Sequence, residues 1–242
     1  MRKEIPLKKY QRKMEHSYAL GAFPTIELLQ HKPEKVIRVL IHPDMNSESQ
    51  FQVISKLCEK YGIPYEINRK DVEKIRDKEN CLSIGVFEKY DEDLKGTPGH
   101  IVLVNPSDMG NMGTIIRTAI GFGIRDLAII EPAVDIFNPK VVRSSMGALF
   151  QMRFHRYCEF EQYAEEFPDR SCYPFMLKGA MDLQEFKPDK HKDFSLIFGN
   201  EATGLPDEYA LKGQSIRIRH QDTIDSLNLS MAVGIALYEF TK

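Results

Sequence analysis

Apolar positions along this chain come in short continuous runs, separated by stretches with helical spacing. Val36-Ile37-Arg38-Val39-Leu40-Ile41 and residues 81–87 are β-prone runs bounded by polar residues, and both predict strands. Between them Phe51, Ile54, Leu57, Cys58 and Tyr61 recur at helical spacing over Ser49 to Tyr61, and Gly62 stops the pattern. A helix over 24–29, ended by the His31-Lys32-Pro33 breaker, a short strand at 64–67 and a short helix at 71–77 complete an amino-terminal α/β unit. The charged, Gly/Pro-rich stretch EKYDEDLKGTPGH at 88–100 then marks a boundary, giving domains at 1–95 and 96–242.

Beyond the boundary the alternation resumes. Strands are predicted at 101–104, 127–130, 153–157, 173–177, 194–198 and 215–218, and helices at 111–122, 139–149, 159–166 and 227–240. Strands alternating with helices imply a parallel sheet covered on both faces, an α/β fold.

Three polar loops follow apolar strands of this half. The first carries Gly110, Asn111, Gly113 and then Arg117. Residues six apart on a helix are turned by about 600°, so Asn111 and Arg117 share a site only if Asn111 lies in the loop and Arg117 in the helix. The second is Gly199-Asn200-Glu201-Ala202-Thr203-Gly204, two glycines bracketing a carboxylate. The third is Asp225-Ser226-Leu227-Asn228, where Ser226 or Asp225 suits a helix N-cap. Each alone has an ordinary reading: a cap for Asn111, a surface ion pair for Arg117, a turn with an exposed acid for Glu201. Together they point to one site, because the carboxyl ends of parallel strands share one edge. Leu227, Val233, Ala236, Leu237 and Phe240 form apolar stripes for core or subunit interface.

Composition narrows the chemistry by exclusion. With 42% apolar and 28% charged residues the chain is an ordinary soluble type, and the amino terminus lacks the apolar core of a secretory signal. Four cysteines without a CxxC pair fit a reducing cytoplasm. Seven histidines lack paired ligand spacing, so no metal is expected, and neither GxGxxG nor GxxxxGK[ST] is present. The net charge of −2 hides a basic amino terminus, where Arg2, Lys3, Lys8, Lys9, Arg12, Lys13 and His16 suit either a solvated arm or contact with RNA or DNA phosphates.

NMGTIIRTAIGFG, LIFGNEATGLP and IRIRHQDTIDSLNLSMAVGIALYE resemble the three ordered motifs of the SpoU/TrmH branch of the SPOUT RNA methyltransferases, over about residues 101–242. The amino-terminal unit resembles the small RNA-binding domain of two-domain members. The resemblance implies a deep trefoil knot, a homodimer with its site near the subunit interface, S-adenosyl-L-methionine as methyl donor, and 2′-O-methylation of a ribose in rRNA or tRNA. By motif, Asn111, Arg117, Glu201, Ser226 and Asn228 fall at catalytic positions. Leu196, Phe198, Gly199, Gly204, Ile218 and Leu227 fall at cofactor-binding positions. One departure stands out: Ile218-Arg219-His220-Gln221-Asp222 occupies a place where the family usually has Ile-Pro-Met and a glycine. Arg117, whose guanidinium is a poor proton acceptor, is expected to hold a phosphate and stabilise charge on the 2′-oxygen, with proton removal shared by phosphate, water or Glu201. Two other readings stay open, a non-catalytic knotted RNA-binding or ribosome-assembly protein and a methyltransferase acting on a base nitrogen.

Overall fold

The computed structural model describes residues 7–45, 49–178, 181–189, 191–221 and 223–242. They form two compact units, one of residues up to 90 with 135–150, the other of 91–134 with 151–242. The first holds β1 (His16–Leu20), α1 (Ala22–His31), β2 (Val36–Ile41), α2 (Ser49–Tyr61), β3 (Tyr65–Ile67), α3 (Arg69–Ile75) and β4 (Ser83–Glu88). Then come β5 (Gly99–Val104), α4 (Met109–Gly121) and β6 (Asp126–Ile130) of the second unit, and α5 (Pro139–Ser144), which returns to the first. The second unit continues with β7 (Arg153–Tyr157), α6 (Phe160–Glu166), β8 (Ser171–Pro174), β9 (Met181–Asp182), β10 (Phe194–Phe198), β11 (Ile216–Arg217) and α7 (Leu229–Thr241).

In the first unit the strand order is β1-β4-β2-β3, with β1/β4 and β2/β4 antiparallel and β2/β3 parallel. Strand β1 escapes the hydrophobic pattern because it opens on His16 and Ser17, yet all five of its residues are buried. Ser17 Oγ donates to the Phe137 carbonyl, and His16 Nε2 lies 3.2 Å from the Tyr18 hydroxyl. His16 is thus a strand residue, not part of a basic arm. Residues 7–15 are not a free arm either: Lys9 Nζ donates to the carbonyls of Ile75 (3.1 Å) and Arg76 (2.7 Å), and Tyr18 Oη donates to Lys8 O at 2.9 Å. Arg2 and Lys3 lie outside the described residues. The helix expected to run to 149 ends at Ser144, where Met146 (φ 53°) and Gly147 (φ 84°) turn the chain. A side chain at Gly147 would meet Glu27 Cβ at 2.7 Å, so only glycine allows that approach.

The second unit is a fully parallel sheet of order β7-β6-β5-β10-β8. Every residue of β5 and β6 is buried, as expected for parallel strands covered on both faces. The α4 and α7 helices pack together, with Gly234 beside Thr118. The strand expected at 215–218 shrinks to the two-residue β11, whose parallel partner β9 is too short for any periodicity to reveal.

A buried polar chain ties the amino-terminal ends of this sheet. His100 Nε2 lies 2.7 Å from Lys95 O, a carbonyl, so that nitrogen carries the proton and Nδ1 accepts from the Tyr163 hydroxyl at 3.0 Å. Tyr163 meets Ser195 Oγ at 2.6 Å, and Ser195 accepts from Arg170 Nε at 3.1 Å. Burial and the nearby Arg170 charge push His100 down to about 4 from 6.5. Between those values the unfolded chain binds a proton that the fold refuses. The stabilisation is therefore complete above pH 6.5 and is lost as pH falls towards 4, about 3 kcal/mol in all. Urea unfolding at pH 7 and pH 4.5 should show this loss, and His100→Gln should flatten the difference; an equally steep pH dependence in the variant would remove His100 as its source.

Candidate active site

The site grows from the carboxyl ends of β5 and β10. After Val104 the chain turns at Asn105, whose φ of 52° a short polar side chain tolerates. Its Nδ2 donates to Glu131 O (2.8 Å), and its own carbonyl accepts from Asn200 Nδ2 (2.8 Å). Asn200 Oδ1 in turn accepts the N–H groups of Ala202 (2.9 Å) and Thr203 (3.3 Å). Gly204 N donates to Asn200 O (2.9 Å) and Gly204 has φ 70°, which closes the loop around Glu201.

Glu201 crosses to the start of α4. Its carboxylate accepts from Ser107 N (3.0 Å), Ser107 Oγ (2.7 Å), Asp108 N (3.1 Å) and Asn111 Nδ2 (3.4 Å). Asn228 Nδ2 donates to Asn111 Oδ1 (3.0 Å), while Asn228 Oδ1 accepts from Ser230 N (2.9 Å) and Ser230 Oγ (2.7 Å). One hydrogen-bonded chain, Glu201–Asn111–Asn228, therefore links all three loops.

Two local expectations change. Asn111 is inside α4, not in the loop before it: Asp108 is the N-cap and accepts from Asn111 N at 2.7 Å. The cap of α7 is Asn228, not Asp225 or Ser226. Because Asn111 and Arg117 are both helical, the helix turns Arg117 to another side, as the 600° rule requires. Arg117 is exposed, with no hydrogen bond or ion pair among the described residues. Ser107, Asp108 and Asn200 escaped the sequence reading. An Asp three residues before Asn111, ahead of an apolar helical run, is the cap signal that could have found Asp108.

Burial raises the Glu201 pKa, but hydrogen bonds from the Ser107 side chain and from main-chain N–H groups, Asp108 among them, outweigh it, and the net shift is downward. An anion held by four donors at a helix N-terminus is a weak base. Its geometry suits clamping the β10 loop to α4, not taking a proton.

Beside this clamp lies a cavity of about 360 Å³, within the usual range for small-molecule sites. Phe198, Gly199, Glu201, Gly204, Ile218, Ser226 and Leu227 line it, whereas Leu196 is fully buried in β10 and does not. Gly199 is required there: a Cβ would stand 2.2 Å from the Gly204 carbonyl carbon. At the family departure, His220 lines the cavity with its Nδ1 3.0 Å from Ile218 O. Arg219 is committed elsewhere, paired with Asp182 and, at 3.5 Å, with Glu185. Among the described residues no group of three or more His, Cys, Asp or Glu could hold a metal ion, and no helix is long and apolar enough to cross a membrane.

Residues 98–238 match the SpoU rRNA Methylase family. Ribosomal RNA small subunit methyltransferase G 2 of Syntrophobacter fumaroxidans is 31% identical over 162 residues, 66% of this chain and 31% of that protein. The 23S rRNA (uridine(2479)-2'-O)-methyltransferase of Streptomyces viridochromogenes is 29% identical over 170 residues, 66% of this chain and 59% of that protein. The matched part thus spans less than two thirds of either relative. Among solved structures, the AdoMet-bound rRNA methyltransferase from Sinorhizobium meliloti superposes with a TM-score of 0.79 at 26% identity, covering 93% of this chain and 87% of that one.

Proposed function

The chain belongs to the SpoU rRNA methylase family, and from that premise we propose that it transfers a methyl group from S-adenosyl-L-methionine to a ribose 2′-hydroxyl of rRNA or tRNA. The observation that carries this reading is the Glu201–Asn111–Asn228 chain at the edge of a cavity lined by glycine backbone. The cavity fits the cofactor: Gly199 packs so closely on Gly204 that no side chain fills the cradle, and Phe198, Gly199, Gly204, Ile218 and Leu227 would hold it. When bound, S-adenosyl-L-methionine supplies the methyl group. Asn111, Ser226 and Asn228 orient the ribose hydroxyl, and alignment supplies much of the rate. Glu201 holds the start of α4, so the hydroxyl proton leaves to water or a phosphate oxygen. Arg117, turned away from Asn111 on α4, grips a phosphate and stabilises charge on a 2′-oxygen, in a homodimer that of the other copy's site.

Three finer points belong to the same reading. A trefoil knot is supported by β10 lying between β5 and β8, both earlier in the chain, and by β11 pairing back to β9. A homodimer is supported by Met231, Ile235 and Tyr238, an exposed stripe on α7 opposite its buried face. The amino-terminal domain, about 1–95, would select RNA in the cytoplasm, with exposed Lys8, Arg12 and Lys13 meeting phosphates and Lys9 held by the Ile75 and Arg76 carbonyls.

The test is radiolabelled methyl transfer to total RNA followed by nucleoside analysis. A 2′-O-methylnucleoside is expected. A methylated base would move the reaction to a base nitrogen, and cofactor binding without product would favour a non-catalytic RNA-binding protein.

A further inference from the structure

One wall of the cavity is built from Ile216, Arg217, Ile218 and His220. Among the described residues this segment pairs with a named strand over two residues, Ile216 with Met181 and Arg217 with Asp182, and Ile216 also forms an isolated bridge with Phe175. A pairing that short does not hold its own geometry. The main chain adds Met176 N to Ile216 O at 2.9 Å and Leu183 N to Arg217 O at 2.8 Å, and the Gln184 side chain adds Nε2 to Arg219 O at 3.4 Å.

Asp182 adds side-chain contacts at residues 217 and 219. Its side chain is 7% exposed, and it faces two guanidinium groups. Oδ1 accepts from Arg217 Nε at 2.7 Å, and Arg217 Nη2 lies 2.7 Å from the same oxygen as an ion pair. Oδ2 accepts from Arg219 Nη2. Residue 219 is where the resembled family carries a proline, which restricts its own backbone. Here the restraint comes from across the two-stranded sheet, as one carboxylate gripping residues 217 and 219 on either side of cavity-lining Ile218.

We propose that Asp182 is a positioning residue for the cofactor cavity, fixing the 216–220 wall through its grip on Arg217 and Arg219. The inference rests on the reading of that cavity as the S-adenosyl-L-methionine site. The two guanidinium groups hold the Asp182 carboxyl below its usual range, so the grip persists through the physiological pH range.

The test uses the full chain and its Asp182→Asn, Asp182→Glu and Arg219→Met variants. Calorimetry with S-adenosyl-L-methionine and S-adenosyl-L-homocysteine should show Asp182→Asn weakening both about tenfold, the size expected for one lost charge-assisted contact. Asp182→Glu should recover part of the loss, and Arg219→Met should weaken binding less than Asp182→Asn. RNA affinity and kcat at saturating cofactor should stay near wild type. Amide hydrogen exchange at 216–220 should quicken most in Asp182→Asn and less in Asp182→Glu and Arg219→Met. Cofactor affinity within twofold of wild type, or a parallel fall in RNA affinity and melting temperature, would overturn the proposal. If the wild type binds neither ligand, the cofactor reading fails instead, and unchanged exchange at 216–220 still decides against Asp182.

Discussion

Gly199→Ala is expected to weaken S-adenosyl-L-methionine binding by about 100-fold, because a shift of about 1 Å at a shaped site has effects of that size. The new Cβ would stand 2.2 Å from the Gly204 carbonyl carbon and 2.3 Å from both Gly204 O and Leu205 N. These are main-chain atoms with no rotamer to move aside, and ordinary contact needs about 3.5 Å. The loop must therefore open. Opening it strains the Gly204 N to Asn200 O bond, and through Asn200 the tie to Asn105. Glu201 sits between the two glycines, so its four-donor clamp on α4 shifts as well. Gly121→Ala is the matched control. It lies at the last turn of α4 with no atom within 4 Å of the added Cβ, and should be neutral or slightly stabilising. Calorimetry and thermal melting compare the two. Near-wild-type binding by folded Gly199→Ala would mean that this loop is not the cofactor cradle.

How much of this was legible in the sequence depended on whether the information was local. The strands β5, β6 and β10 were readable because a buried parallel strand is a continuous apolar run. The β1 strand was not, because its first two residues are polar and are satisfied by partners inside the fold, Tyr18 and Phe137. The β9 strand was invisible for a different reason: two residues have no period. The three loops were found as loops, but their internal geometry was not. Two glycines around Asn111 suggested a loop, whereas the Asp108 cap starts the helix earlier. Glu201 was found as an acid, but nothing near it in sequence says that its donors are Ser107 and Asp108, more than ninety residues away. Without those donors a proton-accepting role was reasonable. With them the lowered pKa makes it a clamp. The Arg219 departure shows the converse. In the sequence it stands as a bare departure beside the cofactor positions, and its partner Asp182 lies thirty-seven residues earlier.

Arg117→Ala is expected to lower turnover by about 10³-fold, the upper size for removing one group that stabilises developing charge, while cofactor affinity stays within about twofold. The separation follows from placement: Arg117 does not line the cavity and pairs with no described residue. Arg117→Lys keeps the charge but loses the planar fork, and should restore little. Lost cofactor binding in the alanine variant would move Arg117 into the cofactor site, and near-wild-type turnover by the lysine variant would end the orienting role. The same placement raises a question of which site Arg117 serves. In α4 it is turned away from Asn111, which bonds Glu201 and Asn228 of its own chain. If the chain is a homodimer, Arg117 is free to act at the site of the other copy. Mixing Arg117→Ala chains with Glu201→Gln chains separates the cases. When Arg117 acts across the interface, each mixed dimer holds one complete site, and random pairing returns about a quarter of wild-type activity. When it acts within its own chain, every site in the mixture lacks one group, and mixing restores nothing.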